Sequence, residues 1–244
     1  MTKEEVLQGC TINGLVVKLP NYQLDKKTYQ EVAKALVGIG GAWKGGKVGG
    51  FVFLEDPTEK LESIQGGTKI DIKVDYQFYE TPPEKADELV RLADIEHGDI
   101  ILEPSAGRGA IIKAINRRIS NQKIYCYEKM STNRPFLLDI KNAELIGEDF
   151  LKADDSIQYD KIVANPPFKN NQDIDHVLKM YKLLTCGGRL VAITSSHWKH
   201  SKNKKEVDFR NWLLKIGAMT IENSGDTFKS SGANVNTITV IIDK

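Results

Sequence analysis

The 244-residue chain is short of cysteine, of net charge and of long apolar runs. Its three cysteines, Cys10, Cys126 and Cys186, are odd in number, widely spaced and outside any C-x-x-C pattern. That excludes a disulfide framework or a thiolate metal cluster and points to a reducing compartment. Lysine and arginine total 34 against 33 acidic residues, a formal charge of +1, so any basic surface must be local. No run of about 18 apolar residues exists, and the acidic start lacks the apolar stretch of a signal peptide. The expectation is a cytoplasmic protein with no membrane partner. Two phosphate signatures are missing as well. Ile112 stands where G-x-G-x-x-G needs its third glycine, and there is no G-K-[ST]. Dinucleotides and nucleoside triphosphates are therefore disfavoured.

With 41% hydrophobic and 27% charged residues the composition is that of a globular protein, and the length suits one large domain with a small partner. Residues 1–75 read as a small α+β module. It has a strand over 11–19, a helix over 26–37 with Tyr29, Val32, Ala33, Leu36 and Val37 on its apolar face, a hairpin arm at 51–54 and an alternating run at 70–76. Over 76–244 short apolar runs alternate with amphipathic helices. Strands are predicted at 99–102, 123–127, 144–146, 161–164, 189–194, 219–223 and 234–242. Helices are predicted at 81–96, 110–119, within 134–143, at 173–184 and at 206–216, the first opened by a capping box at Thr81 and Glu84. Repeated βα units give an α/β fold: a doubly wound, Rossmann-like, mostly parallel sheet.

The run Glu103, Pro104, Ser105, Ala106, Gly107, Arg108, Gly109 passes from a strand through a glycine turn into a helix, where backbone amides can meet a ligand. Glu103 ends one strand and Glu128 ends the next, 21 positions after Gly107, about where an acidic residue meets ribose hydroxyls. A carboxylate at Glu103 repels pyrophosphate and attracts an ammonium, which fits S-adenosylmethionine. Asp149 is either a loop cap or an acceptor for an adenine amine, with Phe150 beside it to pack on the ring. After the strand at 161–164 come Asn165, Pro166, Pro167 and Phe168. The prolines alone are a strand terminator. With the Asn and Phe they suggest chemistry: the Asn165 oxygen and the Pro166 carbonyl would hold the two hydrogens of a base amine. Its nitrogen lone pair would then be freed, while Phe168 stacks on the base for about 1–3 kcal/mol.

These motifs, with Tyr79-Glu80-Thr81-Pro82, Gly147-Glu148-Asp149-Phe150-Leu151 and the strand beginning Gly187-Gly188-Arg189, resemble those of class I S-adenosylmethionine-dependent methyltransferases. More narrowly they resemble the DNA adenine-N6 enzymes of phage and mobile-element type. The resemblance implies that Glu103 faces the methionine ammonium and Glu128 the ribose. Asp149 and Phe150 would bind the cofactor's adenine, Tyr79 and Thr81 the methionine end, and Ser105, Ala106, Gly107 and Gly109 would line the turn. Asn165 to Phe168 would hold the target base, with Asn165 bordering the cofactor as well. One departure lies at 230–235, where such proteins often have S-G-T-x-V, leaving Phe228 as a candidate.

Similar motifs occur in enzymes acting on guanine in ribosomal RNA or on glutamine in proteins, so the polymer needs other signals. The Thr-Pro element ahead of the glycine turn favours DNA. So does the basic stretch with Lys199, Lys202, Lys204 and Lys205, near Arg210 and Trp212, which is otherwise a solvated loop. Trp43, Lys44 and Lys47 are either a groove-touching hairpin tip or a plain turn. His197 and His200 lack a third ligand, so no metal is expected. The reading is a DNA adenine-N6 methyltransferase acting on a flipped base, with weak or short sequence specificity and an open oligomeric state. The alternatives are an RNA or protein-glutamine methyltransferase, or a non-catalytic nucleic-acid-binding module on the same fold.

Overall fold

A computed structural model describes residues 2–53, 56–67, 79–231 and 235–244. The chain divides into two compact units, Met1–Phe78 and Tyr79–Lys244.

In the first unit, Thr2 and Glu5 form a reciprocal capping box that starts helix α1 (Lys3–Gln8). Residues 11–19, read above as one strand, are a hairpin of β1 (Thr11–Asn13) and β2 (Val16–Lys18). Gly14, at φ +58°, supplies the left-handed residue that reverses the chain. Helix α2 (Lys26–Gly38) is capped by Asp25, whose carboxylate accepts from the Thr28 amide at 3.0 Å. It buries Thr28, Val32 and Leu36, while Tyr29 and Val37 lie exposed, so the buried stripe is narrower than the one read from the sequence. Strands β3 (Ala42–Lys44) and β4 (Gly50–Val52) complete an antiparallel sheet in the order β1-β2-β4-β3, and α3 (Thr58–Gln65) follows. Val6, Leu7, Val17, Val32, Leu36, Phe51, Phe53 and Leu61 form this unit's own core. The alternating run at 70–76 and position 54 lie outside the described residues.

The second unit is built on a seven-stranded sheet. In chain order its elements are α4 (Pro83–Ala93), β5 (Ile101–Glu103), α5 (Ala110–Arg118), β6 (Ile124–Tyr127), α6 (Arg134–Leu138) and β7 (Ala143–Gly147). Then come β8 (Tyr159–Ala164), α7 (Gln172–Leu183), β9 (Leu184–Ser195), α8 (His197–His200), α9 (Lys204–Lys215), β10 (Met219–Asn223) and β11 (Thr237–Asp243). The strand order is β10-β11-β9-β8-β5-β6-β7. The five strands from β9 to β7 run parallel, and β11 and β10 are antiparallel at one edge. The mostly parallel, doubly wound sheet expected from the sequence is present. Parallel strands covered by helices on both faces are buried along their length, as in β5 and the distal half of β9. Two core clusters result, one around Leu89, Ile112 and Ile115 and one around Met180, Leu190 and Val240. The strand order reverses direction beside β5, so the carboxyl ends of β5 and β8 form the crevice where such sheets bind ligands.

Candidate active site

Beyond Glu103 the backbone turns through 104–109 into α5, with Gly107 at φ +54° and Gly109 at φ +79°. At Gly109 the left-handed φ is the constraint that favours glycine, because side-chain-bearing residues rarely adopt it, and a Cβ there would also press on the tip of Ile140. The Ala106 amide donates to the Tyr127 carbonyl at 2.9 Å and ties the turn to the tip of β6. The Ser105 hydroxyl lies 3.3 Å from His176 Nδ1 on α7.

Two carboxyls stand side by side under this turn. Glu128 accepts from the Gly107 amide at 2.6 Å and from the Met130 amide at 2.7 Å, with Asn133 Nδ2 more distant at 3.4 Å. Burial raises its pKa against those donors. Glu103 is 2% exposed, and its Oε2 has no hydrogen-bond partner among the described residues. Burial first, and then the neighbouring Glu128, hold Glu103 well above the usual carboxylate range. Beneath them the Cys126 thiol is pushed up to about 12, chiefly by burial.

At the end of β8 the Asn165 side-chain nitrogen donates to Thr81 Oγ1 at 3.1 Å and, more weakly, to the Tyr79 carbonyl at 3.5 Å. Asn165 Oδ1 has no partner among the described residues. Pro166 is buried, and Pro167 and Phe168 are half-buried. The segment then turns through Asn170 and Asn171, both left-handed at φ +56° and +57°. Asn171 Nδ2 donates to Glu206 at 3.2 Å, and Ser201 Oγ donates to the same carboxylate at 2.6 Å. The loop is thereby fastened to α9. The capping box expected at Thr81 is not formed, because Pro82 occupies the cap position of α4 and the Thr81 hydroxyl serves Asn165 instead.

No family model matches the chain. A type II restriction enzyme and methyltransferase, RM.BcgI from Heyndrickxia coagulans, is 26% identical over 187 residues, 63% of this chain and 29% of that protein. A protein of Methanococcus maripaludis described as a probable ribosomal RNA small subunit methyltransferase A is 33% identical over 90 residues, 35% of this chain and 33% of that protein. These matches thus span about a third of the curated relatives (29% and 33%). The crystal structure of a type I restriction-modification methyltransferase subunit from Streptococcus thermophilus superposes with a TM-score of 0.59 at 18% identity, covering 68% of this chain and 45% of that one. The fold is that of the class I methyltransferases.

On this methyltransferase fold the structure brings Tyr79, Thr81, Glu103, Ser105, Ala106, Gly107, Gly109, Glu128 and Asn165 together at the carboxyl ends of β5, β6 and β8. Other expectations need correction. Phe150 is 1% exposed, its ring enclosed by Tyr127, His176 and the Lys179 ammonium, so it offers no open face for an adenine. Asp149 accepts from the Leu151 amide at 3.1 Å and pairs with Lys129 at 3.0 Å, which is the cap role that the sequence allowed beside an adenine contact. Phe228 is buried in the core.

The basic stretch is not a loop of free cations. Its first part is helix α8, and Lys199, Lys204 and Lys205 pair with Glu222, Asp208 and Asp175. Arg210 lies on α9 and donates to the carbonyls of Trp198, Lys199 and Ser201 at 2.7, 3.2 and 3.3 Å, which closes the end of α8. Of the cations in this stretch, Lys202 alone stays exposed without a partner among the described residues. Trp198 is buried, its Nε1 bonded to Thr194, and Trp212 stacks on Phe209. In the first unit Trp43 and Lys44 lie exposed on β3 and Lys47 on the tip between β3 and β4.

Two polar residues beside the site escaped the sequence reading. His176 is buried, and burial lowers its pKa to about 4, so it is neutral at ordinary pH. Asp173 is fully buried, accepts from the Ser195 amide at 2.8 Å, and leaves Oδ1 unpartnered among the described residues. Both lie on the inward face of α7, where spacing marks burial and says nothing of polar partners.

Proposed function

We propose that the chain transfers a methyl group from S-adenosylmethionine to the exocyclic N6 amine of adenine in DNA. The observation that carries this reading is the orientation of the Asn165 amide. The Tyr79 carbonyl can only accept, so the amide nitrogen must face it and Oδ1 must face outward. That oxygen and the Pro166 carbonyl form a pair of acceptors for the two hydrogens of a planar amine. Held off the ring plane, those hydrogens draw the nitrogen lone pair out of conjugation. Two proline rings keep the second acceptor rigid, so the contribution is positioning and preorganised electrostatics.

The residues around the glycine turn fit the cofactor. The buried, unpartnered Oε2 of Glu103 is what a cationic ammonium would satisfy, and the left-handed glycines keep side chains out of the approach. Bound there, S-adenosylmethionine supplies an electrophilic methyl carbon. Glu103 and Glu128 orient its charged and hydroxyl-bearing parts, and Asn165 and Pro166 present the acceptor nitrogen. The nitrogen's surplus proton passes to solvent, since no basic side chain is needed once the product is a neutral amine.

The likeness to a restriction-modification enzyme over 187 residues favours DNA. The shorter likeness to a ribosomal RNA methyltransferase, over 90 residues, favours RNA adenine as the second reading. Between β9 and β10 the chain holds only α8 and α9, which leaves room for short or weak sequence recognition. The test is incubation with a radiolabelled methyl donor and DNA, RNA or protein acceptors, followed by nucleoside analysis. The label is expected in N6-methyldeoxyadenosine; label in RNA adenine selects the second reading, and label confined to protein overturns both. Asn165→Ala is expected to abolish transfer while leaving S-adenosylmethionine affinity within about twofold.

A further inference from the structure

Strands β9, β11 and β10 also end at the edge of the sheet that carries Asn165, because β11 enters and β10 leaves at that edge. Between their tips is a cavity of about 360 Å³ whose lining includes Ser196, Lys199, His200, Glu222, Asn223 and Asn236. That size is within the range of ligand sites.

Its floor is a closed network. Asn223 Nδ2 donates to Thr237 Oγ1 at 3.0 Å and Thr239 Oγ1 at 3.1 Å, and its oxygen accepts from Lys85 Nζ at 2.7 Å. Lys85 is itself buried and paired with Glu88. On the rim the Lys199 ammonium is held by the Glu222 carboxylate, so the one strong cation is neutralised. The side chains of Ser196, His200 and Asn236 make no hydrogen bond among the described residues. A satisfied floor beneath three uncommitted hydrogen-bonding groups suits a neutral polar ligand. A phosphate would have to displace Glu222.

Position decides which neutral ligand. Thr237 pairs with Ser195, whereas Ala164 pairs with Ala192. The cavity therefore begins two strands from Asn165, roughly 10 Å sideways, and about two residues, roughly 7 Å, further along the strand direction. One or two nucleotides of an extended strand bridge that gap. We propose that this cavity seats the base neighbouring the acceptor in the same strand and reads its edge through Ser196, His200 and Asn236. This rests on the proposed nucleic-acid methyl transfer, and it adds a site for flanking context.

The test uses the full chain, single-stranded oligonucleotides carrying one adenine with varied neighbours, and the variants Asn236→Ala and Ser196→Ala/His200→Ala. Melting temperature and S-adenosylmethionine affinity serve as folding controls. The variants are expected to raise the oligonucleotide KM about tenfold and to flatten the preference among neighbours, with kcat unchanged. Transfer to free adenosine or deoxyadenosine should be the same in variant and parent. Unchanged KM and unchanged neighbour preference, or an equal loss with the free nucleoside, overturns the site. Oligonucleotide binding measured by fluorescence anisotropy with S-adenosylhomocysteine separates the two readings. A parent that binds but transfers no methyl group refutes the proposed function, and weaker binding in the variants still supports the cavity. A parent that transfers, with variants that bind equally well, refutes the cavity alone.

Discussion

Thr81 contributes one oxygen, which accepts from the Asn165 amide at 3.1 Å and reinforces the orientation that the Tyr79 carbonyl sets. Thr81→Val keeps the shape and removes the acceptor. The expected result is a fall in kcat of about tenfold, equivalent to ~1.4 kcal/mol, with little change in melting temperature and recovery in Thr81→Ser. An unchanged kcat in the valine variant would mean that the Tyr79 carbonyl alone sets the amide. Glu103 gives a pH signature. Its folded pKa lies above its unfolded value, so the folded chain holds the proton more tightly. That stabilisation is complete below the unfolded carboxylate pKa and is lost as pH rises toward the folded value. Melting temperature without cofactor should therefore decline from acidic toward neutral pH, and Glu103→Gln should flatten the decline. An ammonium partner favours the ionised form, so cofactor binding should release a proton and tighten as pH rises through the same window. Calorimetry in buffers of different ionisation heat reads this directly, and a heat independent of buffer would refute the pairing.

Among the elements, strand ends were more legible than helix faces. Glycine, proline and acidic residues at 103–109 and 165–168 signal a local backbone demand, and that demand survives into the fold. The partners of His176 could not be read, because Ser105 is 71 positions away and helical spacing reports only that the position faces inward. The basic stretch hid its acidic partners for a similar reason. Lysines at 199, 204 and 205 look free until the tertiary fold brings Glu222 and Asp175 beside two of them, with Asp208 one turn along α9 from the third. Arg210 shows the difference most clearly, being a cap on α8. Arg210→Ala should cost about 1–2 kcal/mol, seen as a lower melting temperature with unchanged S-adenosylmethionine affinity. Unchanged stability with weaker DNA binding would return Arg210 to the phosphate-contacting set. Lys202→Ala should reduce the slope of log affinity against log salt by about one.

Across the whole chain the two units keep separate cores, so residues 79–244 should fold alone and retain S-adenosylmethionine binding within a few-fold. A cooperative melt and a titration of that fragment check this, and an unfolded fragment would show that the first unit is needed for stability. One further consequence comes from the paired left-handed asparagines after Phe168. Asparagine is one of the few side-chain-bearing residues that take this left-handed backbone readily, and the corner lies between a strand end and a helix, with Glu206 accepting from Asn171. On the proposed function, a corner braced from strand end to helix leaves the incoming base, rather than this loop, as the part expected to rearrange.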